Sequence, residues 1–107
     1  MEEKETIKAL EILELKVKNN KESRALVKRL IEQIKALETM FFKDLKFPRS
    51  DEAIHYLAYA RIKAVIRGLT PENSTSVLQD LCHQMDALYI EYEQVKERSK
   101  PVLSSTR

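Results

Sequence analysis

A single glycine in 107 residues is the feature that most narrows what this chain can become. Tight turns between strands call for residues at positive φ, which glycine supplies at little steric cost. One glycine cannot serve the many turns of an all-β fold, and it leaves no glycine-rich phosphate loop. Helix is the default. The length allows one small domain and no separate substrate domain. The expected fold is therefore an all-α, antiparallel four-helix bundle over residues 1–100, with a short frayed tail at 101–107 behind Pro101.

The charge balance excludes one class of partner. Lys and Arg total 19 against 17 Asp and Glu, a net charge of +2, far from the basic excess of a dedicated nucleic-acid binder. No nucleic acid is expected as a partner. Cys82 stands alone, so no intrachain disulfide forms. The longest unbroken apolar run is five residues, Tyr56 to Ala60, against about 20 for a membrane span. The acidic start Met1-Glu2-Glu3-Lys4-Glu5 has no apolar core behind it and does not read as a secretory signal. A cytosolic location is expected.

Four helical segments follow from the pattern of apolar residues. The first, about Glu2 to Lys18, carries Ile7, Leu10, Leu13 and Val17 on one side and Ile12 and Leu15 on the other, so it packs against two neighbours or against a second copy. Asn19 with Glu22 resembles a capping box for the second helix. That helix, running from about Lys21 to Met40 or beyond, carries Val27, Leu30, Ile34, Leu37 and Phe41 as a heptad-like stripe. The stretch Phe41 to Ser50 loses the pattern and, being apolar, is expected to fold back as a plug on the bundle end. Ser50-Asp51-Glu52 opens a third helix that runs to Arg67, with Ile54, Leu57, Ala58, Ile62 and Val65 facing inward. Gly68 is placed for a left-handed C-cap, and Thr70-Pro71-Glu72-Asn73 reads as N-cap, first-turn proline and first-turn acid. Helices three and four should thus make a tight hairpin. The fourth helix has the cleanest seam: Leu78, Leu81, Met85, Leu88, Tyr92 and Val95.

Charge is unevenly spread along the chain. Residues 16–46 hold nine cations and four acids, whereas residues 72–97 hold six acids and one lysine. The second and fourth helices should attract each other, although exposed pairs contribute only about 0–1 kcal/mol each.

Tested for chemistry, the chain offers no catalytic residue and no metal or cofactor site. Glu52-x-x-His55 and Asp80-x-x-His83 have the acid-x-x-His spacing of carboxylate-bridged metal bundles. On a helical wheel, however, Asp80 and His83 lie roughly 170° from the seam of their own helix. Glu52 and His55 fall at the margin of theirs. Cys82 and His83 are neighbours in sequence and so point about 100° apart, too far to share a proton. Cys82 belongs with Leu78 and Met85 as a small hydrophobe. The serines lie at helix ends or in the tail, outside any nucleophile elbow.

The outer side of the third helix is more informative. Tyr56, Tyr59, Lys63 and Arg67 fall on one stripe opposite Ile54, Ala58 and Val65. Two aromatics among two cations either form the centre of a binding surface, or one tyrosine packs against the Phe41 to Phe47 stretch. Arg61 is the odd residue of the inward stripe, where it must pair with a carboxylate or reach out along its stem.

A chain of this length and basic leaning, with four helices, Tyr59-Ala60-Arg61-Ile62, then Leu69-Thr70-Pro71-Glu72-Asn73, then an aliphatic helix, resembles a known family. These features, over about Ser50 to Ile90, are similar to the pediocin-like (class IIa) bacteriocin immunity proteins of lactic acid bacteria and streptococci, of the enterocin A immunity type. The resemblance implies a cytosolic antiparallel four-helix bundle. It also implies a membrane-receptor partner, the mannose phosphotransferase permease once a bacteriocin has engaged it, with specificity set largely by the C-terminal half. Carried onto this sequence, recognition would fall on Tyr56, Tyr59, Lys63, Arg67, Lys96, Arg98 and Lys100. The fourth helix here is longer and more coiled-coil-like than the family pattern, and the tail is short and lacks aromatics. The basic tail and second helix suit an anionic leaflet, where each cation contributes about 1 kcal/mol, which gives the protein a peripheral place at the inner membrane face. The rival expectation is a helical adaptor or chaperone-like module that homodimerises through its first or fourth helix.

Overall fold

The computed structural model describes residues 2–46, 51–70 and 72–99. Four α-helices form an all-α bundle: α1 (Glu2–Lys16), α2 (Lys21–Thr39), α3 (Glu52–Arg67) and α4 (Ser74–Ser99). Chain neighbours run antiparallel, yet the closest packing is of α2 on α4, α1 on α2 and α1 on α3. Both α2/α4 and α1/α3 are parallel pairs. Ser23 meets Ser74, Arg29 meets Asp86 and Asp44 meets Lys96 along the first, while Thr6 reaches the Tyr59 carbonyl along the second.

The stripes of α2 and α4 behave as their spacing predicts. Val27, Leu30, Ile34, Leu37 and Phe41 are buried, as are Leu78, Leu81, Cys82 and Met85, with Leu88 and Tyr92 packed against them. Cys82 sits in the core. The expected attraction between the two helices is realised where Asp86 accepts from Arg29 at 2.6 Å and from Gln33 at 2.5 Å.

Several local expectations need correction. The N-cap of α2 is Asn20, not Asn19: its Oδ1 accepts from the Ser23 backbone N–H at 3.1 Å, a bond that also leaves Ser23 facing Ser74. The helix does run beyond Met40, through a π-helical turn, Met40–Asp44, so Phe41 and Phe42 are helical and the expected break in the pattern comes later than Phe41. Lys46 then takes φ 54° and turns the chain away. Residues 47–50, including the rest of the expected plug and Ser50, lie outside the described residues, as do Pro71 and the 101–107 tail.

Gly68 is not left-handed; its φ of −97° is open to any residue. Regular α4 begins at Ser74, later than expected, although Thr70 does cap the preceding turn as the sequence suggests, in a reciprocal pair with Asn73. The Thr70 N–H donates to Asn73 Oδ1 at 2.9 Å, and the Asn73 N–H donates to Thr70 Oγ1 at 3.3 Å. The α3–α4 connection is short, but the two helices do not pack as a tight hairpin. His55, Tyr59 and Tyr92 fill the space at one end of the pair, and an open groove runs between the helices beside Ala58 and Leu88.

The largest correction concerns α3 itself. Its buried residues are His55, Tyr59 and Ile62, whereas Ile54 and Leu57 are 70% and 62% exposed. The helix is turned by about one residue step, roughly 100°, from the face that its apolar spacing suggests. Arg61 is therefore exposed and was never in the inward stripe.

Candidate functional site

The rotation of α3 assembles a polar node inside the bundle. His55 Nε2 lies 2.6 Å from Glu38 Oε2, and Nδ1 lies 2.8 Å from the Tyr92 hydroxyl. The Tyr59 hydroxyl donates to the same Glu38 oxygen at 3.1 Å, and Tyr56 donates to Oε1 at 3.4 Å. Phe41 stacks on the imidazole at 3.9 Å, with the Phe42 edge 5.6 Å away. The π turn matters here, since one extra residue per turn brings both phenylalanines onto this ring.

Electrostatics fixes the roles in the node. Burial, then the Glu38 charge, pushes the Tyr59 phenol far above its ordinary range. Burial likewise pushes Tyr56 and Tyr92 up to about 12, aided by Glu38 and Glu52 for the first and by Glu91 and Glu38 for the second. All three hydroxyls stay protonated near neutrality, and those of Tyr56 and Tyr59 serve as donors to Glu38. The His55 side chain is 0% exposed and both of its nitrogens have partners. The node is a clasp joining α2, α3 and α4, because every polar atom of the ring already faces another protein atom.

His55 is thus a buried residue rather than one at the margin. The Glu52-x-x-His55 half-site does not form, and no group of three or more His, Cys, Asp or Glu among the described residues could hold a metal. Asp80 and His83 are exposed, as the wheel predicts.

The expected surface stripe breaks apart in consequence. Tyr59 is 0% exposed and belongs to the core, so it cannot touch a partner in this conformation. Tyr56 is half-buried, 6.3 Å from the Phe42 ring, which is the packing alternative. Lys63 is clamped by Glu2 at 2.6 Å and Glu5 at 3.3 Å; the Glu2 bond chiefly, then Glu5, raises its pKa. Arg67 is exposed and makes no ion pair among the described residues. Lys96 pairs with Asp44 at 3.5 Å, and Arg98 is exposed beside Ile90. Lys100 lies outside the described residues.

Lys63 and Arg67 nevertheless remain together, on the flank of α3 that faces α1. They line a depression of about 200 Å³ with Ile12, Leu13, Lys16 and Ile66. Leu13 and Lys16 carry it into a second hollow of about 440 Å³ at the bundle end, walled by Val17, Leu69 and Thr70. The floor is aliphatic and the rim cationic. Periodicity alone did not reveal this groove, since it depends on α1 and α3 lying side by side in parallel; the one signal was the pair Ile12 and Leu15 off the main stripe of α1. No helix among the described residues is long and apolar enough to cross a membrane. Compared with known proteins, the chain matches no family model, no curated protein and no solved structure.

Proposed function

We propose that this chain is a non-catalytic binding protein of the bacteriocin-immunity type. It engages, from the cytosolic side, a mannose phosphotransferase permease to which a bacteriocin has bound, and so protects the cell. The observation that carries this reading is the α1/α3 groove, with its aliphatic floor of Leu13 and Ile66 and its rim of Lys16, Lys63 and Arg67. An amphipathic groove with two cations, Lys16 and Arg67, that make no ion pair among the described residues suits a segment of a membrane protein emerging beside anionic headgroups, where each nearby cation contributes about 1 kcal/mol. The groove keeps two of the positions that the family resemblance implies, Lys63 and Arg67, and adds α1 to the recognition surface.

The deciding experiment is the sensitivity of a host cell to a panel of pediocin-like bacteriocins, with and without this gene. Protection against at least one member is expected. A Lys16→Glu, Arg67→Glu double variant should abolish protection while the protein remains folded and abundant. An unchanged response across the panel would remove the immunity reading, and full protection by the double variant would remove the groove from it.

A further inference from the structure

We propose that two copies of this protein associate about a two-fold axis through the groove between α3 and α4, each copy laying its α3 flank into the groove of the other. The pair is locked by two reciprocal Arg61–Glu91 contacts. This inference goes beyond the reading above, because it uses the opposite flank of α3 and leaves both α1/α3 grooves open.

Beside the groove lies an apolar stripe without a cover among the described residues. Ile54, Leu57, Ala58 and Arg61 follow one another at helical spacing along the outer flank of α3, and the first two are its exposed large apolar side chains. Gln84, Leu88 and Glu91 form the facing wall on α4, with Met85 at the floor, around a space of about 340 Å³. The apolar spacing of α3 belongs to a helix that buries this stripe, yet within one protomer α3 turns His55 and Tyr59 inward instead. A second helix laid along the groove and over the outer flank of α3 beside it would take Leu57 and Ile54 out of water.

Charge and register identify that helix as α3 of another copy. Arg61 and Glu91 are both exposed, and neither has an ion-pair partner among the described residues. Across the groove the helices run antiparallel, with His55 bonded to Tyr92 and Ala58 beside Leu88. Arg61 lies three residues from Ala58 towards one end of the bundle, and Glu91 lies three residues from Leu88 towards the other, each about 4.5 Å along the axis. A two-fold axis at the Ala58–Leu88 level exchanges those ends. It therefore sets Arg61 of each copy level with Glu91 of its mate, while the two aliphatic stripes meet between them. Such self-complementarity is what an isologous interface requires. Leu81, on the seam of α4, is buried inside the protomer and takes no part in this contact.

The test is sedimentation equilibrium of the full chain from about 1 to 100 μM, with circular dichroism melts as the control for folding. Wild type should be a dimer. Arg61→Glu and Glu91→Arg should each raise the dimer Kd at least about tenfold, and the two together should restore it to within a few fold of wild type. Both residues are exposed, so helical spectra should be unchanged and melts should coincide at concentrations low enough for every variant to be monomeric. In a Cys82→Ala background, Ala58→Cys, close to the axis, should be captured between copies by a short bis-maleimide, whereas Ile12→Cys on α1 should not. A wild-type monomer at 100 μM would overturn the proposal, and so would a dimer indifferent to both charge reversals or one cross-linked at Ile12 and not at Ala58. None of these readouts involves Lys16, Arg67 or bacteriocin sensitivity, so the dimer and the immunity reading stand or fall separately.

Discussion

Glu38 Oε2 lies 2.6 Å from His55 Nε2, joining the last turn of α2 to the first turn of α3. Tyr59 shares the same carboxylate oxygen and Tyr92 takes the other imidazole nitrogen, so a single acid organises a contact among three helices. In a low-dielectric setting such a network stabilises when it is complete and becomes a liability when one member is lost.

Glu38→Ala should therefore cost roughly 1.5–3 kcal/mol in a denaturant melt, since it strips an acceptor from buried donors. Tyr59→Phe, which removes only the hydroxyl, should cost about 1 kcal/mol. Tyr59→Ala should cost about 3–5 kcal/mol because it also empties a core position. A Tyr59→Ala protein that melts like wild type would show that the node is not structural.

Alkaline pH should unfold the protein through the same node. Tyr56 and Tyr92 have native pKa values of about 12 against an ordinary 10.0, so the native state holds its protons longer than the unfolded chain. A raised native pKa contributes stability that is complete below pH 10 and lost as pH rises towards 12. Melting temperature against pH should be level up to about 10 on this account and then fall, while Tyr92→Phe shows a shallower fall. An ultraviolet titration finding every tyrosine ionised near 10 in the native protein would contradict it.

The one glycine and one lysine should each gain from substitution. Gly68 has φ −97°, and a Cβ there would meet its nearest atom, the Val65 carbonyl oxygen, at 3.7 Å, an ordinary contact. Gly68→Ala should stabilise by about 0.4–1 kcal/mol by restricting the unfolded chain. Lys46 holds φ 54°, where a Cβ is strained, so Lys46→Gly should stabilise by about 0.5–1 kcal/mol despite the entropy glycine adds. Thermal melts of the two single variants decide both.

Met85→Asp places a carboxylate in the α2/α4 core and should cost about 3–5 kcal/mol or unfold the domain. The neighbouring Cys82 reports on it. Burial, the leading cause, raises the Cys82 thiol pKa against the lowering influence of Arg29, so wild type should react with a thiol reagent at least roughly a hundredfold more slowly than the unfolded chain. Met85→Asp should remove most of that protection.

Much of this fold is legible along the chain. The spacing of Val27, Leu30, Ile34 and Leu37, and that of Leu78, Leu81 and Met85, depends on helix geometry alone, and all seven are buried as expected. Asp80 and His83 are placed in water by the same wheel. Caps were legible only to within a residue or so, because Asn19 and Asn20 are chemically identical candidates and Thr70 could be satisfied by Asn73 before the helix began. The orientation of α3 was not legible. Its spacing counts Ile54 and Leu57 as core, Tyr59 as surface and His55 as marginal, whereas the burial of His55 and Tyr59 depends on Glu38, which lies on another helix.

The amino-acid order by itself determined that the chain is helical, where its helices lie, and which flanks of α2 and α4 are shielded, since these follow from backbone geometry and local side-chain chemistry. Only the tertiary structure decided which way α3 turns, that α1 and α3 lie side by side, and which apolar and cationic groups remain on the outside. A buried polar side chain is stable only when a partner from elsewhere in the chain completes its hydrogen bonds, and the spacing of residues along one helix carries no record of that partner.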